Sequence, residues 1–174
     1  MADVILRDAV EADFERIVEI NAAEVVKTSA MDIDRLRLLH SLAGYHRVAV
    51  VNGRIAGAPV AAAPVAAFLL AMPDGVDYPN DNYGWFAARY PRFLYVDRIV
   101  VDSAFSGLGI GSRMYRDLFE HARLQQIGTV ACEYNIEPPN HASRKFHDKF
   151  GFREVGTQYV ADGTKRVSMQ VAEA

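Results

Sequence analysis

The sequence has a single cysteine, Cys132, among its 174 residues. One cysteine excludes an internal disulfide and any zinc site built from several thiolates, and it is compatible with a reducing cytoplasm, which is the expected location. An excess of positive charge is also lacking: the formal net charge is −3. This balance argues against a broad nucleic-acid-binding surface. We therefore expect neither a metal nor a nucleic acid as a partner.

The chain has little that resembles a membrane span. Residues 55–72, IAGAPVAAAPVAAFLLAM, have about the right length, but they are rich in alanine and include Pro59 and Pro64. We expect a buried strand preceded by an irregular stretch there. Near the N-terminus, Asp3 and Arg7 interrupt any apolar core of a signal peptide. No membrane partner is expected.

What the chain does contain is enough apolar sequence for a sizeable core, since 51% of its residues are hydrophobic and 24% are charged. Its length suits one domain over residues 1–174. Hydrophobic periodicity predicts a mixed α/β sheet of about seven strands, flanked by about four helices. The predicted strands are 4–7, 47–51, 67–72, 93–101, 129–134, 155–160 and 165–171, and the predicted helices are 10–26, one from Asp32, one from Ile110 to a cap at Gly128, and 138–150.

Two dipeptides predict hairpin turns, Asn52-Gly53 and Asp162-Gly163. Between the third and fourth strands, residues 73–92 show no regular period, so we predict a long irregular connection there. It is rich in aromatic and acidic residues, which together suit a cationic amine. A packed cover over the sheet and part of a dimer interface are the alternatives.

The most informative segment is 99–111, IVVDSAFSGLGIG, where Gly107, Gly109 and Gly111 lie between a strong strand and an amphipathic helix. Glycine lets backbone N–H groups approach a ligand closely, and the following helix N-terminus adds partial positive charge. Together these features are typical of an anion site, most often for phosphate.

Several interpretations of this loop compete. A Walker loop requires Gly-Lys-Ser/Thr, but Gly111 is followed by Ser112 and Arg113. A dinucleotide fingerprint requires G-x-G-x-x-G early in a βαβ unit, whereas this chain has the spacing G-x-G-x-G in its second half. The coenzyme A diphosphate is a third candidate ligand. A merely flexible turn is the fourth interpretation.

Two motifs resemble the GNAT superfamily of N-acetyltransferases. Residues 101–111, VDSAFSGLGIG, are similar to the family pattern V-x-P-x-x-R/Q-G-x-G-I/A-G, and residues 140–152, NHASRKFHDKFGF, are similar to its Asn–helix–Gly-Phe motif. The order of the predicted elements extends the resemblance over nearly the whole chain. Asn140 combined with Phe146-His147 also resembles a bacterial subgroup of predicted acetyltransferases. Ser103 and Ser106 depart from the pattern, and Ser106 removes a side chain that helps to hold the diphosphate.

The resemblance implies acetyl-CoA as co-substrate and a backbone-built binding site, with Arg113 as a substitute for the missing charge at Ser106. The pantetheine arm is expected to pair with the strand backbone, and a strand N–H near Val100 or Val101 is expected to polarise the thioester carbonyl. The residues implied to bind the coenzyme are Ile99, Val100, Val101, Ser106, Gly107, Leu108, Gly109, Ile110, Gly111, Ser112, Asn140 and Ser143. Asn140 also suits the N-cap of its helix.

The resemblance also implies an acid for the departing thiolate at position 147, where the family usually has tyrosine and this chain has His147. Tyr134 and Ser143 are the fallbacks. For the base, or the group that binds the amine, Asp97 is the first choice and Glu133 the second. The alternative for Asp97 is a salt bridge with a nearby arginine, and that for His147 is a packing role.

The function implied is transfer of an acetyl group to the primary amine of a small molecule or peptide, in an enzyme that is a possible homodimer. The acceptor stays open. A non-catalytic acyl-CoA-binding or sensor module is the alternative from a different class, because Ser106 and the absent tyrosine both depart from the enzyme pattern.

Overall fold

The computed structural model describes residues 2–24, 29–55, 58–59 and 64–174. Their backbone forms a mixed sheet with helices, which confirms the predicted fold class. The strands are β1 Ala2–Asp8, β2 Tyr45–Ile55, β3 Ala58–Pro59, β4 Val65–Pro73, β5 Leu94–Val101, β6 Thr129–Glu137, β7 Arg153–Val160 and β8 Lys165–Glu173. The α-helices are α1 Phe14–Ala23, α2 Ile33–Leu42, α3 Asp81–Ala87, α4 Ile110–Leu124 and α5 His141–Asp148, with 3-10 turns at Glu11–Asp13 and Ser103–Phe105.

The chain forms two compact units. The first comprises residues 1–71 and 97–117, and its strands run in the order β1-β2-β4-β5, with β3 on β2. β2 is antiparallel to both β1 and β4. β4 is buried from Val65 to Met72, so the expected buried strand is confirmed. Burial on both faces explains why this strand is a continuous apolar run rather than an alternating one.

The second unit comprises residues 72–96 and 118–174, with strands in the order β5-β6-β8-β7. β5 and β6 are parallel, with Leu94 opposite Val130 and Tyr95 opposite Ala131, while β8 is antiparallel to β6 and β7. The predicted hairpin at Asp162-Gly163 is confirmed: the turn joins β7 to β8, and Gly163 has a φ of 81°. Positive φ suits glycine, which has no Cβ to clash.

Three local predictions are wrong. Asn52-Gly53 is no turn, because β2 runs through both residues and pairs them with Asp3 and Ala2 of β1. Gly128 does not cap α4. Instead Gln126 adopts a φ of 57°, its N–H bonds to the Arg123 carbonyl, and the Ile127 N–H bonds to the Ala122 carbonyl. These two hydrogen bonds form a Schellman motif, with glutamine at the position that glycine usually takes.

The third wrong prediction concerns the connection 73–92, which contains α3 and so is not irregular throughout. Asn80 caps this helix, and its side chain accepts a hydrogen bond from the Tyr83 N–H at 3.0 Å. The buried side chains of Tyr83 and Phe86 are three residues apart, which places them on one helix face. With α3, the described residues contain five α-helices where about four were predicted. The predicted end of the first helix, at residue 26, lies outside the described residues.

Candidate functional site

The glycine loop between β5 and α4 has a defined backbone geometry in the first unit. After β5, the Asp102 side chain accepts a hydrogen bond from the Ala104 N–H at 2.9 Å and opens the 3-10 turn Ser103–Phe105. Gly107 and Gly109 follow with φ of 81° and 67°. Residues with a side chain rarely adopt this conformation, so both positions require glycine. A Cβ at either would meet no atom within 4 Å, so the backbone borders open space.

The loop ends on the N-terminus of α4, a helix of 15 residues. The Arg113 N–H bonds to the Gly109 carbonyl at 3.1 Å. The N–H groups of Ile110, Gly111 and Ser112 precede this bond, so helix geometry gives them no acceptor within the helix. Ser106, Gly107 and Gly109 are exposed, and Leu108 is half-buried. The helix dipole adds positive potential at this end, so the loop fits an anionic ligand such as a phosphate.

Contacts within the first unit hold the start of the loop. The Asp102 N–H donates to the Ala66 carbonyl at 2.9 Å. Arg16 of α1 forms an ion pair with the Asp102 carboxylate and also donates to the Val65 carbonyl at 3.3 Å. The loop therefore leaves β5 from a fixed point, which favours a preformed binding site. Arg113, the expected substitute for the charge missing at Ser106, is exposed.

In β5, Asp97 forms an ion pair with an arginine. This is the alternative that the sequence analysis gave for Asp97. Its carboxylate lies 2.7 Å from Nε of Arg98, and the two side chains are only 3% and 6% exposed. Arg98 also donates to Asn21 Oδ1 at 3.0 Å and to the Ser29 carbonyl at 3.1 Å. This carboxylate is therefore buried and already paired with a cation. Further along β5, Ile99 and Val101 are half-buried and Val100 is buried.

Glu133 of β6, the second choice for the base, lies in a polar network of the second unit. Its Oε1 accepts hydrogen bonds from Asn82 Nδ2 at 2.9 Å and from the Tyr95 hydroxyl at 3.0 Å. Asn82 Oδ1 in turn accepts from Gln158 Nε2 at 2.9 Å. Asn82 and Gln158 were missed by sequence reasoning. The N-cap signal at Asn80 marks the helix that carries Asn82, but nothing in the sequence pairs Asn82 with Glu133.

His147 of α5 is 5% exposed and lies among aromatic rings. Its Nδ1 is 2.8 Å from the Ser143 carbonyl, so Nδ1 carries the proton and donates it. Burial lowers the pKa of His147 below its ordinary value of 6.5. A neutral imidazole with Nδ1–H used in this way has a lone pair on Nε2. This geometry favours the packing role over the role of an acid at neutral pH.

Tyr134 of β6 packs against His147, with ring centroids 5.6 Å apart. Burial raises the pKa of Tyr134 above its ordinary value of 10, and the nearby Asp148 adds to this effect. Its phenol therefore stays protonated at neutral pH, which is the form that an acid for a thiolate requires.

Asn140 takes the N-cap position of α5 that its place in the sequence suited. Its Oδ1 accepts a hydrogen bond from the Ser143 N–H at 3.1 Å. The Ser143 hydroxyl lies 3.2 Å from His147 Nδ1. These contacts account for both side chains within α5. Their expected roles in coenzyme binding stay predictions.

Within the connection 73–92, the buried aromatic rings form a packed cover, one of the two alternatives offered for it. Tyr83 lies edge-on to Tyr95 with centroids 5.8 Å apart, and Phe86 contacts the rings of Phe93 and Tyr95. Trp85 packs over Gly156 of β7, where a Cβ would meet its ring at 2.6 Å.

The ranges that the structure describes contain no group of three or more His, Cys, Asp and Glu side chains placed to hold a metal ion. In the same ranges, no helix is long and apolar enough to cross a membrane. The expected absence of a metal and of a membrane partner stays a prediction.

Comparison with known proteins gives matches both in sequence and in fold. The sequence model of the "Acetyltransferase (GNAT) family" matches residues 14–152. A phosphinothricin N-acetyltransferase from Streptomyces coelicolor is 37% identical over 59 residues, which cover 34% of this chain and 33% of that protein. The chain therefore matches only about a third of the length of this curated relative.

Solved structures of other proteins share the fold, among them the following two. Ard1 from Thermoplasma volcanium superposes with a TM-score of 0.72 at 17% identity, over 98% of this chain and 97% of that one. The yncA protein from Salmonella typhimurium, solved with its cofactor acetyl-CoA, superposes with a TM-score of 0.66 at 19% identity, over 98% and 94%. At these identities the likeness shows a common fold.

Proposed function

Because the chain belongs to the GNAT acetyltransferase family, we propose that it transfers an acetyl group from acetyl-CoA to a primary amine. The family and the class of enzyme, an N-acetyltransferase, are those that the two sequence motifs predicted. The donor, the acceptor and the roles of individual residues are proposals. Acetyl-CoA supplies the acetyl group as a thioester, the amine attacks its carbonyl carbon directly, and coenzyme A leaves as a thiolate that takes a proton.

The observation that carries this proposal is the glycine loop of the first unit. Gly107 and Gly109 have positive φ and border open space, and they are followed by three N–H groups that have no acceptor within α4. This arrangement suits a diphosphate, whose oxygens accept backbone N–H hydrogen bonds without any particular side chain. A site of this kind should tolerate Ser106 where the family has arginine or glutamine. Residues 106–112 are proposed to bind the diphosphate, with Asn140 and Ser143 as further coenzyme contacts.

Ile99, Val100 and Val101 of β5 are proposed to bind the pantetheine arm through their backbone. β5 pairs in parallel with β6 at Leu94 and Tyr95 and continues for six residues beyond. Addition of an extended ligand to a strand uses the same N–H and carbonyl groups as a sheet. A backbone N–H near Val100 or Val101 is proposed to stabilise the negative charge that develops on the thioester oxygen.

Tyr134 is proposed to protonate the departing thiolate. Its phenol is neutral at physiological pH because burial raises its pKa, whereas burial keeps His147 uncharged and its Nδ1–H is used by the Ser143 carbonyl. His147 is proposed to hold the Tyr134 ring in place. This assignment takes the fallback residue in preference to the first choice for the acid.

Glu133 is proposed to bind the incoming amine and to receive its proton, directly or through water. Its carboxylate is oriented by Asn82 and Tyr95. An amine arrives mostly as ammonium, so a nearby carboxylate both attracts it and accepts the proton that it must lose. Asp97 is less suited, because its carboxylate is buried in the ion pair with Arg98.

The experiment is a steady-state assay of coenzyme A release from acetyl-CoA with a panel of primary amines, amino acids and short peptides, confirmed by mass spectrometry of the product. Amine-dependent release with an acetylated product is the expected result. Binding of acetyl-CoA with no turnover on any acceptor would favour the acyl-CoA-binding module. Ser106 and the absence of tyrosine at position 147 are the sequence features that support this alternative. A cytoplasmic location, a single domain and a homodimer stay predictions.

A further inference from the structure

Two neighbouring contacts join α3 to β7 in the second unit. The Trp85 ring packs over Gly156, and the Oδ1 atom of Asn82 accepts a hydrogen bond from Gln158 Nε2 at 2.9 Å. Gly156 does not have a positive φ, so the close approach of the ring, at 2.6 Å from an added Cβ, is what requires glycine there. Asn82 and Trp85 are one helical turn apart, and Gly156 and Gln158 lie two residues apart on their strand. The helix therefore lies close against this strand.

This close approach lets the short side chain of Asn82 contact two strands at once. Its Nδ2 atom donates to Glu133 Oε1 of β6 at 2.9 Å, while its Oδ1 atom accepts from Gln158 of β7. The Tyr95 hydroxyl donates to the same Glu133 oxygen at 3.0 Å. The side chains of Gln158, Asn82 and Glu133 thus form a chain of two hydrogen bonds that crosses three elements.

The direction of this hydrogen-bonded chain is fixed by the chemistry of its end. An ionised carboxylate can only accept, so Asn82 must turn its amide nitrogen to Glu133 and its carbonyl to Gln158. The Gln158 amide must then donate. A group at position 158 that could only accept would draw the Asn82 nitrogen to itself and turn the Asn82 carbonyl to Glu133. Two acceptors would then meet, unless Glu133 held a proton.

The other titratable side chains recorded near this chain differ from Gln158 and Asn82 in their effect. Tyr95 donates a hydrogen bond to Glu133 as a neutral phenol. Burial, with a contribution from the charge of Glu133, raises the pKa of the Cys132 thiol, so the thiol is neutral as well. Asp81, beside Asn82 on α3, is exposed, and solvent screens its charge. The two amides act on Glu133 through the direction of their hydrogen bonds and carry no net charge.

We propose that Gln158 and Asn82 are positioning residues for the acetyl transfer. Gln158 sets the direction of the Asn82 amide, and Asn82 then keeps Glu133 ionised, as a group that receives a proton from an amine must be. The inference rests on the proposed function in that Glu133 is taken as this group. Both residues act through Glu133, and the contact between Trp85 and Gly156 sets the distance at which the hydrogen-bonded chain closes.

The test reverses the hydrogen-bonded chain with a substitution of almost unchanged shape, Gln158→Glu, which replaces a donor by an acceptor. The measurement is an NMR titration of the Glu133 carboxyl carbon in the full chain. Its midpoint should move upward by about two pH units in Gln158→Glu and by about one in Asn82→Leu, as expected for reversal and for loss of one hydrogen bond to a charged group. Gln158→Leu, which adds no acceptor, should move it by less than about half a unit.

The charge that Gln158→Glu introduces is separated from the hydrogen-bond effect by a double-mutant cycle. In the Asn82→Leu background, Gln158→Glu can act on Glu133 through its charge alone, and there it should move the midpoint by no more than about half a unit, as for partly exposed charges. An equal shift in both backgrounds would overturn the proposal, and so would an unchanged midpoint in Gln158→Glu.

Kinetics with an amine that the wild type acetylates gives the second readout. At saturating acetyl-CoA, the acid limb of kcat/KM should move to higher pH in Gln158→Glu, and activity should recover as the pH is raised, which a misfolded variant would not show. Lost activity that no pH restores would count against the positioning role. If the wild type acetylates no amine, the proposed function fails, and the NMR titration alone then decides whether Gln158 and Asn82 set the ionisation of Glu133.

Discussion

The two units of the chain carry their chemistry in different ways. In the first unit, the candidate groups are backbone N–H groups: those of Ile110, Gly111 and Ser112 have no acceptor within α4, and they follow the exposed Gly107 and Gly109. In the second unit, the candidate groups are side chains, Tyr134, His147 and Glu133, each held by neighbours through rings or hydrogen bonds. A site made of backbone tolerates changes of side chain but depends on glycine, whereas a site made of side chains depends on which partner holds each group.

This difference bears on two of the departures from the family pattern, Ser106 and His147. Ser106 alters a side chain beside a backbone site, so its cost should be small. His147 alters a side chain within a side-chain site, and burial and the Ser143 carbonyl then determine what it can do. Each unit should therefore respond to substitution in its own way.

The largest effect is expected at Tyr134. Tyr134→Phe removes the proton donor while keeping the ring against His147, so kcat should fall about 100-fold or more, as for loss of a general acid, with the affinity for acetyl-CoA unchanged. His147→Phe keeps an aromatic ring beside Phe152 and should lower kcat less than tenfold, by about the cost of imperfect packing. Steady-state kinetics with a saturating amine measures both.

The pH profile gives an independent test of the same assignment. If His147 were the acid, kcat would fall as the pH rises through a value below 6.5, because its pKa is lowered and the imidazolium is lost there. With Tyr134 as the acid, kcat should not fall between pH 6.5 and 9, since burial raises the pKa of the phenol above 10. If kcat of the wild type fell as the pH rises through a value below 6.5, and this fall were absent in His147→Phe, His147 would be the acid.

His46, a buried histidine of the first unit, should make the stability of the folded protein depend on pH. Burial and the neighbouring His40 lower the pKa of His46 to about 4, and the two Nδ1 atoms lie 2.8 Å apart. The unfolded chain binds the proton near pH 6.5, so it binds more protons than the folded chain between pH 6.5 and 4. The free energy of unfolding should therefore fall by up to about 3 kcal/mol as the pH is lowered through this window.

In His46→Phe most of this loss should disappear, because phenylalanine does not titrate and suits the rings of Phe14 and Phe68. Urea unfolding at pH 7, 5.5 and 4 measures it. His147 also lowers the free energy of unfolding as the pH falls, and the variant retains this contribution. Asp13 contributes only below its ordinary pKa of 3.8, since Arg7 lowers that pKa further. An identical pH dependence in wild type and variant would contradict the assignment.

A smaller effect is expected at Glu133. Glu133→Gln keeps an oxygen for Asn82 and Tyr95 but removes the charge, so kcat/KM should fall about tenfold to 100-fold, with a steeper dependence on amine basicity. Asp97→Asn serves as the comparison, because it should lower the free energy of unfolding through Arg98 more than it lowers kcat. If Asp97→Asn is fully folded and loses more kcat than Glu133→Gln, Asp97 rather than Glu133 is the base.

The smallest effect is expected at Ser106. Ser106→Arg restores the charge that the family has beside the diphosphate, and at this exposed position it should tighten acetyl-CoA binding no more than about fivefold. Titration at low and high salt measures the change, which should shrink as salt screens the pair. A gain above 100-fold would mean that the backbone site is weak without this side chain.

The sequence predicted the backbone conformation of the glycine loop well and the side-chain networks poorly. The loop 99–111 was recognisable because glycine spacing reports backbone geometry directly, and Gly107 and Gly109 do have positive φ. Local signals failed where tertiary pairing overrode them. Asn52-Gly53 suits a turn, but pairing with β1 extends β2 through it. At the end of α4, glutamine adopts the conformation expected of glycine.

The roles of side chains were less predictable for a different reason. Asn82, Gln158 and Glu133 come from three separate segments, and only the fold brings them into hydrogen-bonding distance. Asp97 and Arg98 are neighbours in sequence, so their ion pair was foreseen as an alternative, but the choice depended on burial. The tautomer of His147 is set by the Ser143 carbonyl of the preceding helical turn, and no pattern of residue types reports that contact.

The central claim is that the glycine loop binds acetyl-CoA through its backbone, and calorimetric titration with acetyl-CoA, free coenzyme A and ATP tests it most directly. Gly163→Asp is the matched control for Gly109→Asp, because both glycines have positive φ and a Cβ at either meets no atom within 4 Å. We predict one acetyl-CoA bound per chain in wild type and Gly163→Asp, with binding at least about 100-fold weaker in Gly109→Asp through loss of charge-assisted hydrogen bonds. Equal affinity in all three proteins, or no acetyl-CoA bound at millimolar concentration, would contradict the account.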